Sequence, residues 1–295
     1  ISLWKYEFCE KKFSLPVRKS SVRTLLGQMK LPAQSKGGIF MADTQNLTIS
    51  KNDWNGAYVP KHTAKLIKSG IENGTAPFIP TDGRISPQLI CNANTGYALE
   101  AKDMIPVLLT KAEKGYESNV VGTKKSMDNA KTSIKADEKG VWYNFKGKDG
   151  EFHHSAYFFP EQAEQPERLK EFAQGNIKQK QNLTNDTIKI ESADATEYLA
   201  AYVAACKSGA KVEVSPEIAE QFKQNILAVA DNELVKYSAM KNPNLPKMTD
   251  LLSNVEKRAS EIVKSREKEL GIGQEQRAQS FKPKENKRKP VEMSR

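Results

Sequence analysis

At 295 residues, with 38% hydrophobic and 28% charged residues, the chain is long enough for one or two domains with a real core, and slightly polar for a single body. No apolar run approaches the roughly 20 residues of a membrane-spanning helix, and Cys9, Cys91 and Cys206 stand too far apart for zinc spacing or a disulfide framework, which fits a reducing cytoplasmic compartment. The net charge of +10 sits at the ends: residues 1–40 hold eight Lys/Arg against two acids, residues 275–295 seven against three, and 41–274 has 31 of each sign, so a nucleic-acid site on the body has to be a local patch.

The first forty residues read as an untranslated leader or a disordered basic arm. Lys36-Gly37-Gly38-Ile39-Phe40 can be encoded by a purine-rich tract of the kind bacterial ribosomes pair with, placed before an ATG at Met41. Translation is therefore expected to begin at Met41; a basic arm contacting nucleic acid is the competing reading, and a transit peptide a weaker one.

From Met41 the pattern predicts an α+β fold: a small mixed domain over 41–165 with an antiparallel hairpin, a linker over 166–190, a helical region over 191–271 and a disordered basic tail over 272–295. Ala64, Ile67 and Ile71 give helical spacing over 63–73, stopped by Gly74. Gly74 to Pro80 reads as a rigid extended connector, because each proline excludes helix at the residue before it. A short strand over 88–91 leads into the loop Asn92-Ala93-Asn94-Thr95-Gly96. Met104, Ile105, Leu108, Leu109 and Ala112 then form a helical stripe, with Pro106 expected in its first turn. Residues 119–122 read as a strand, and Thr123 as the cap of a helix over 124–132.

A lysine-rich turn ending at Gly140 then enters a strand carrying Trp142, Tyr143 and Phe145, and Asp149-Gly150 turns the chain back into a second aromatic strand. Alternation predicts Val141, Tyr143 and Phe145 inside and Trp142 outside. Residues 161–185 are polar, with little to bury, and read as a helix fragment and linker. Thr187 to Ile190 is β-prone, and helices follow at 194–207, 216–240 and 249–269, with Ser215-Pro216 as a start and Gly209 and Gly271 as stops. Phe222, Ile226, Val229 and Ala230 form one apolar stripe; Leu252, Val255, Ala259, Ile262 and Val263 form another, for packing within the chain or against a partner. The lysine-rich and proline-containing tail is disordered by composition.

Catalytic motifs are missing. There is no His-Glu-x-x-His, no P-loop and no Gly-x-Ser-x-Gly turn, and adjacent His153 and His154 on a strand point to opposite faces, unsuited to one metal. The reading is accordingly a non-enzyme without cofactor or metal. The alternatives to nucleic-acid binding are a protein–protein adaptor docking DNA-processing enzymes through the two helical stripes, and an enzyme of unrecognised type.

Four short motifs in register are similar to the N-terminal single-stranded-DNA-binding domain of the antirestriction protein ArdC family over about residues 60–162. They are Ile71-Glu72-Asn73-Gly74-Thr75-Ala76-Pro77-Phe78, Asn92-Ala93-Asn94-Thr95-Gly96-Tyr97, Thr123 through Asp137-Glu138-Lys139-Gly140, and Phe159-Pro160-Glu161-Gln162. Residues 98–103 depart from the family's Tyr-x-Gly-x-Asn, Phe78 stands where Trp is common, and the family's zinc metallopeptidase motif is absent. The resemblance implies a single-stranded-DNA-binding protein of a plasmid, phage or other mobile element, with restriction or DNA-processing proteins as further partners and no membrane role. The residues expected at the DNA are Lys124, Lys125, Lys131, Lys135 and Lys139 for phosphates, Trp142 or Tyr143 for stacking, and backbone amides at Thr95-Gly96 and Lys139-Gly140.

Overall fold

A computed structural model describes residues 58–80, 84–148, 150, 152–236 and 240–272. The proposed leader or arm, Cys9, and the basic tail beyond residue 272 lie outside the described residues.

The core is built around one helix that is apolar on every side. In α5 (Ala195–Ser208) Tyr198 through Cys206 are all buried, which an amphipathic surface helix does not do. Around it lie α1 (Tyr58–Glu72), α2 (Ala101–Lys114), α6 (Pro216–Leu234) and α7 (Met248–Glu269), with α1 against α6, α2 against α7 and α5 against α7. The Tyr198 ring stacks on Phe222 at 3.7 Å, Phe78 meets Phe222 and Tyr202 edge-on, and the Tyr198 hydroxyl donates to the Phe78 carbonyl at 3.0 Å. Sequence segments more than a hundred residues apart therefore share one core. Glu256 of α7 ties the same helices on the polar side: its carboxylate accepts from the Ala101 backbone N–H at the start of α2, 2.7 Å away, and from the Lys207 ammonium of α5.

Among the described residues the strands come in three pairs. β1 (Cys91–Asn92) pairs in parallel with β2 (Val120–Val121) across α2; β3 (Val141–Lys146) and β4 (Phe152–Tyr157) form the antiparallel hairpin; β5 (Thr187–Ile190) pairs in parallel with β6 (Lys211–Val214) across α5. The fold is thus mixed α+β. A short α3 (Lys124–Asn129) follows β2, and α4 (Pro166–Gln174) follows the hairpin. Cys91 and Cys206 are both buried, and burial pushes the Cys206 thiol up to about 12.

Several elements differ from expectation for identifiable reasons. The connector after α1 is not extended: the Ile79 N–H closes a turn on the Ala76 carbonyl at 3.0 Å, with Pro77 in its second position. Pro106 lies in the second turn of α2, because the helix begins at Ala101 on the Glu256 cap. The segment expected to have little to bury contains α4, which buries Leu169 and Ala173, and Leu183 enters the main core. Helix α6 stops at Leu234, six residues early, where Asn232 exchanges hydrogen bonds with the Asn242 backbone and turns the chain back. The apolar stripes are largely consumed by the chain's own core: Phe222, Ile226 and Val255 are buried in it, and Ile262 and Val263 pack against it half-buried. Among the described residues no helix is long and apolar enough to cross a membrane.

Candidate nucleic-acid interface

Thr123 fixes the start of the lysine-bearing segment. Its hydroxyl accepts from the Ser126 N–H, and the Ser126 hydroxyl accepts from the Thr123 N–H at 3.1 Å, a reciprocal cap that opens α3. Lys124 and Lys125 occupy the first turn, exposed, above buried Met127. After α3 the chain enters a left-handed residue at Lys131 (φ 55°), whose carbonyl accepts from the Arg168 guanidinium at 2.8 Å. It then runs antiparallel to the strand-like segment 162–165, through Lys135 N–H to the Gln162 carbonyl and Glu164 N–H to the Ser133 carbonyl.

Gln162 is the anchor of the lysine turn. Its buried amide accepts from the Phe159 N–H at 3.0 Å and donates to the Glu138 carboxylate at 2.9 Å and to the Lys139 carbonyl at 3.1 Å. All five lysines of the sequence-based site are exposed. Lys135 spends one donor on the Glu161 carbonyl, 2.8 Å away. The turn enters β3 at Gly140, where an added Cβ would lie 2.7 Å from the Tyr157 carbonyl, so only glycine allows the strands to close here.

The hairpin carries rings on both faces. On one, Val141 is buried, Tyr143 stacks on Tyr157 at 4.0 Å, and Phe145 follows at 5.9 Å with the His153 ring 5.6 Å beyond. On the other, the half-buried Trp142 ring lies 5.7 Å from that of His154. The two histidines therefore do face opposite ways. Phe145 was expected inside; it is 42% exposed, because β3 runs past the edge of the core before the turn. Trp142 and Tyr143 are both half-buried, Tyr143 packed against the core and Trp142 on the opposite face, while Phe145 on the Tyr143 face is exposed.

The Thr95-Gly96 amides do not point outward. The Gly96 N–H donates to the Asn92 carbonyl at 2.8 Å and the Thr95 N–H to the Asn92 side chain at 3.3 Å, which leaves neither amide for a phosphate. Gly96 (φ 73°) is buried against Asn176, whose carbonyl an added Cβ would meet at 1.6 Å, and its own carbonyl accepts from the Lys178 and Gln179 N–H groups. Its role is structural: it joins the 92–97 loop to the segment after α4. The loop also reaches α3, where the Asn129 side chain donates to Asn94 at 3.1 Å.

Beneath the hairpin lies a polar cluster that sequence spacing did not reveal. Asp103, in the first turn of α2 and 9% exposed, accepts from the Tyr157 hydroxyl at 3.5 Å. Burial, opposed by nearby Lys102, pushes its carboxyl up to about 7, and burial also raises the Tyr157 and Tyr143 phenols. Lys111 is the other buried charge of α2, held between the Gln88 and Asn119 side-chain oxygens, and burial lowers its ammonium. Among the described residues no three His, Cys, Asp or Glu side chains gather as a metal site.

No family model matches the chain, and no curated protein does. Two solved structures are similar to it. A metal-free structure of the antirestriction protein ArdC from the R388 plasmid is 14% identical with a TM-score of 0.39, covering 68% of this chain and 98% of that one. A Mn(II)-bound structure of the same protein is 19% identical with a TM-score of 0.30, covering 59% and 66%. Similarity this distant fixes neither activity nor binding.

Proposed function

We propose that the chain binds single-stranded DNA, as an antirestriction-type protein of a bacterial plasmid or other mobile element, and that it acts by binding and not by catalysis. The observation that carries this reading is the conjunction of exposed Lys124, Lys125, Lys131, Lys135 and Lys139 on a segment pinned by Gln162, leading straight into a hairpin whose Trp142 and Phe145 rings reach solvent. Lysines displace counterions from phosphates, and flat rings take unpaired bases irrespective of sequence. The order of the four family-like motifs points the same way, since Asn92, Thr123, Lys139 and Gln162 are the residues that hold this region together.

Fluorescence anisotropy with labelled oligo-dT and with a duplex of equal length tests the reading. Preferential, salt-dependent binding of the single strand is expected, weakened roughly ten-fold or more in a Trp142→Ala/Lys139→Ala protein. Equal affinity for the duplex, or unaltered binding by the variant, refutes the site.

A further inference from the structure

A second face of the molecule combines cations with a presented ring. Between the 92–97 loop, the segment after α4 and the outer side of α7 runs an open groove of about 410 Å³, within the roughly 300–1,000 Å³ of small-ligand sites. Tyr97 stands at its rim, 56% exposed, with the Lys178 ammonium 5.7 Å from its ring centroid. Lys180 and Lys264 line the same groove, and Val263 gives it an apolar patch. Among the described residues Lys178, Lys180 and Lys264 make no ion pair. The fourth lysine, Lys207, is held by Glu256, and the one carboxylate of the lining, Glu267, accepts from the Asn182 side chain at 2.9 Å.

The ring is held out by a rigid frame. The Asn92 N–H donates to the Tyr97 carbonyl at 3.0 Å, the Asn92 side chain holds the Asn94 and Thr95 amides, and Gly96 receives the Lys178 N–H at 2.8 Å. Tyr97 and Lys178, more than eighty residues apart in sequence, are thus fixed beside each other by backbone bonds, not by a mobile side-chain contact. A tyrosine face open to water beside three ammonium groups without ion pairs matches what a nucleobase with its flanking phosphates requires.

The geometry points to the Tyr97 groove as a second contact for a single-stranded polynucleotide, with Tyr97 stacking on a base and Lys178, Lys180 and Lys264 on the flanking phosphates. This rests on the single-strand reading above and adds a site on the other side of the 92–97 loop, which touches both faces: Asn94 toward α3, Gly96 toward Lys178. A strand fits better than a free anion, because a lone phosphate has no use for the ring and the cations are spread along the groove.

The test is oligo-dT anisotropy over a salt series with the full chain, Tyr97→Ala, Tyr97→Phe, Lys178→Ala/Lys264→Ala and Trp142→Ala, each checked by urea unfolding. Tyr97→Ala is expected to weaken binding roughly ten-fold while Tyr97→Phe retains it, and the double lysine variant to lower the salt slope by about 1.4. Full affinity and an unchanged slope in the groove variants, alongside a loss in Trp142→Ala, overturn the groove and leave the hairpin site standing. Absence of oligo-dT binding by the unaltered chain overturns both. Displacement of the oligonucleotide by dTMP or inorganic phosphate at comparable concentration overturns the strand assignment in favour of a small-anion site.

Discussion

Asp103 is buried in the first turn of α2 under the Tyr157 hydroxyl, with Lys102 on its own helix, Glu100 just before it and Glu256 reaching in from α7. The folded chain holds a proton on it up to about pH 7, whereas an unfolded aspartate gives its proton up near 3.8. Between those values the folded state binds more protons than the unfolded one, so this carboxyl makes stability fall as pH rises from about 4 to about 7. Each unit of the interval is worth about 1.4 kcal/mol for the isolated group. Asp103→Asn has no proton to lose and should flatten that slope, gaining on the unaltered protein as pH rises. Urea midpoints from pH 4.5 to 8 check this, and parallel slopes for the two proteins would show that Asp103 does not titrate there.

The elements that could be read from the sequence are those whose signals are local. Thr123 with Ser126, the Ser215-Pro216 start and the left-handed Gly209 stop each act within one turn of chain, and each lies where spacing put it. Loss of the reciprocal cap in Thr123→Ala should cost about 1 kcal/mol by urea denaturation, with Thr123→Ser restoring most of it. What escaped was set by distant partners. Strand β6 exists because β5 lies beside it, α2 begins at Ala101 because Glu256 caps it, and α4 is stable because Leu169 finds Met127 and Ala130 in a small second core. The candidate interface divides the same way. The five lysines are exposed, and Trp142, expected outside by alternation, is half-buried; Phe145 emerged from the core and the Thr95-Gly96 amides were spent, both for tertiary reasons. Tyr97 stood in a family-like motif without any local sign that Lys178 would meet it.

Among the described residues one main core serves residues 64–259. Helices α1 and α2 bury Ile67, Met104 and Leu108 in the same cluster as Tyr198, Phe222 and Val255. A fragment ending near residue 165 therefore loses the partners of both helices and exposes their apolar faces. It is expected to lack a cooperative urea transition and to bind ANS, while the full chain unfolds in a single step; a sigmoidal transition from the fragment would contradict the shared core.

Both long-range strand pairs are parallel, β1 with β2 and β5 with β6, each spanned by the helix between its members. Neither ladder can zip from a tight turn as β3 with β4 can, so each must wait until its bridging helix has formed and swung the second strand alongside the first. Acquisition of the native state is thus tied to α2 and α5 maturing early, whereas the aromatic hairpin, free of that dependence, can pair before either parallel ladder and is then held by the core that receives Val141 and Tyr157.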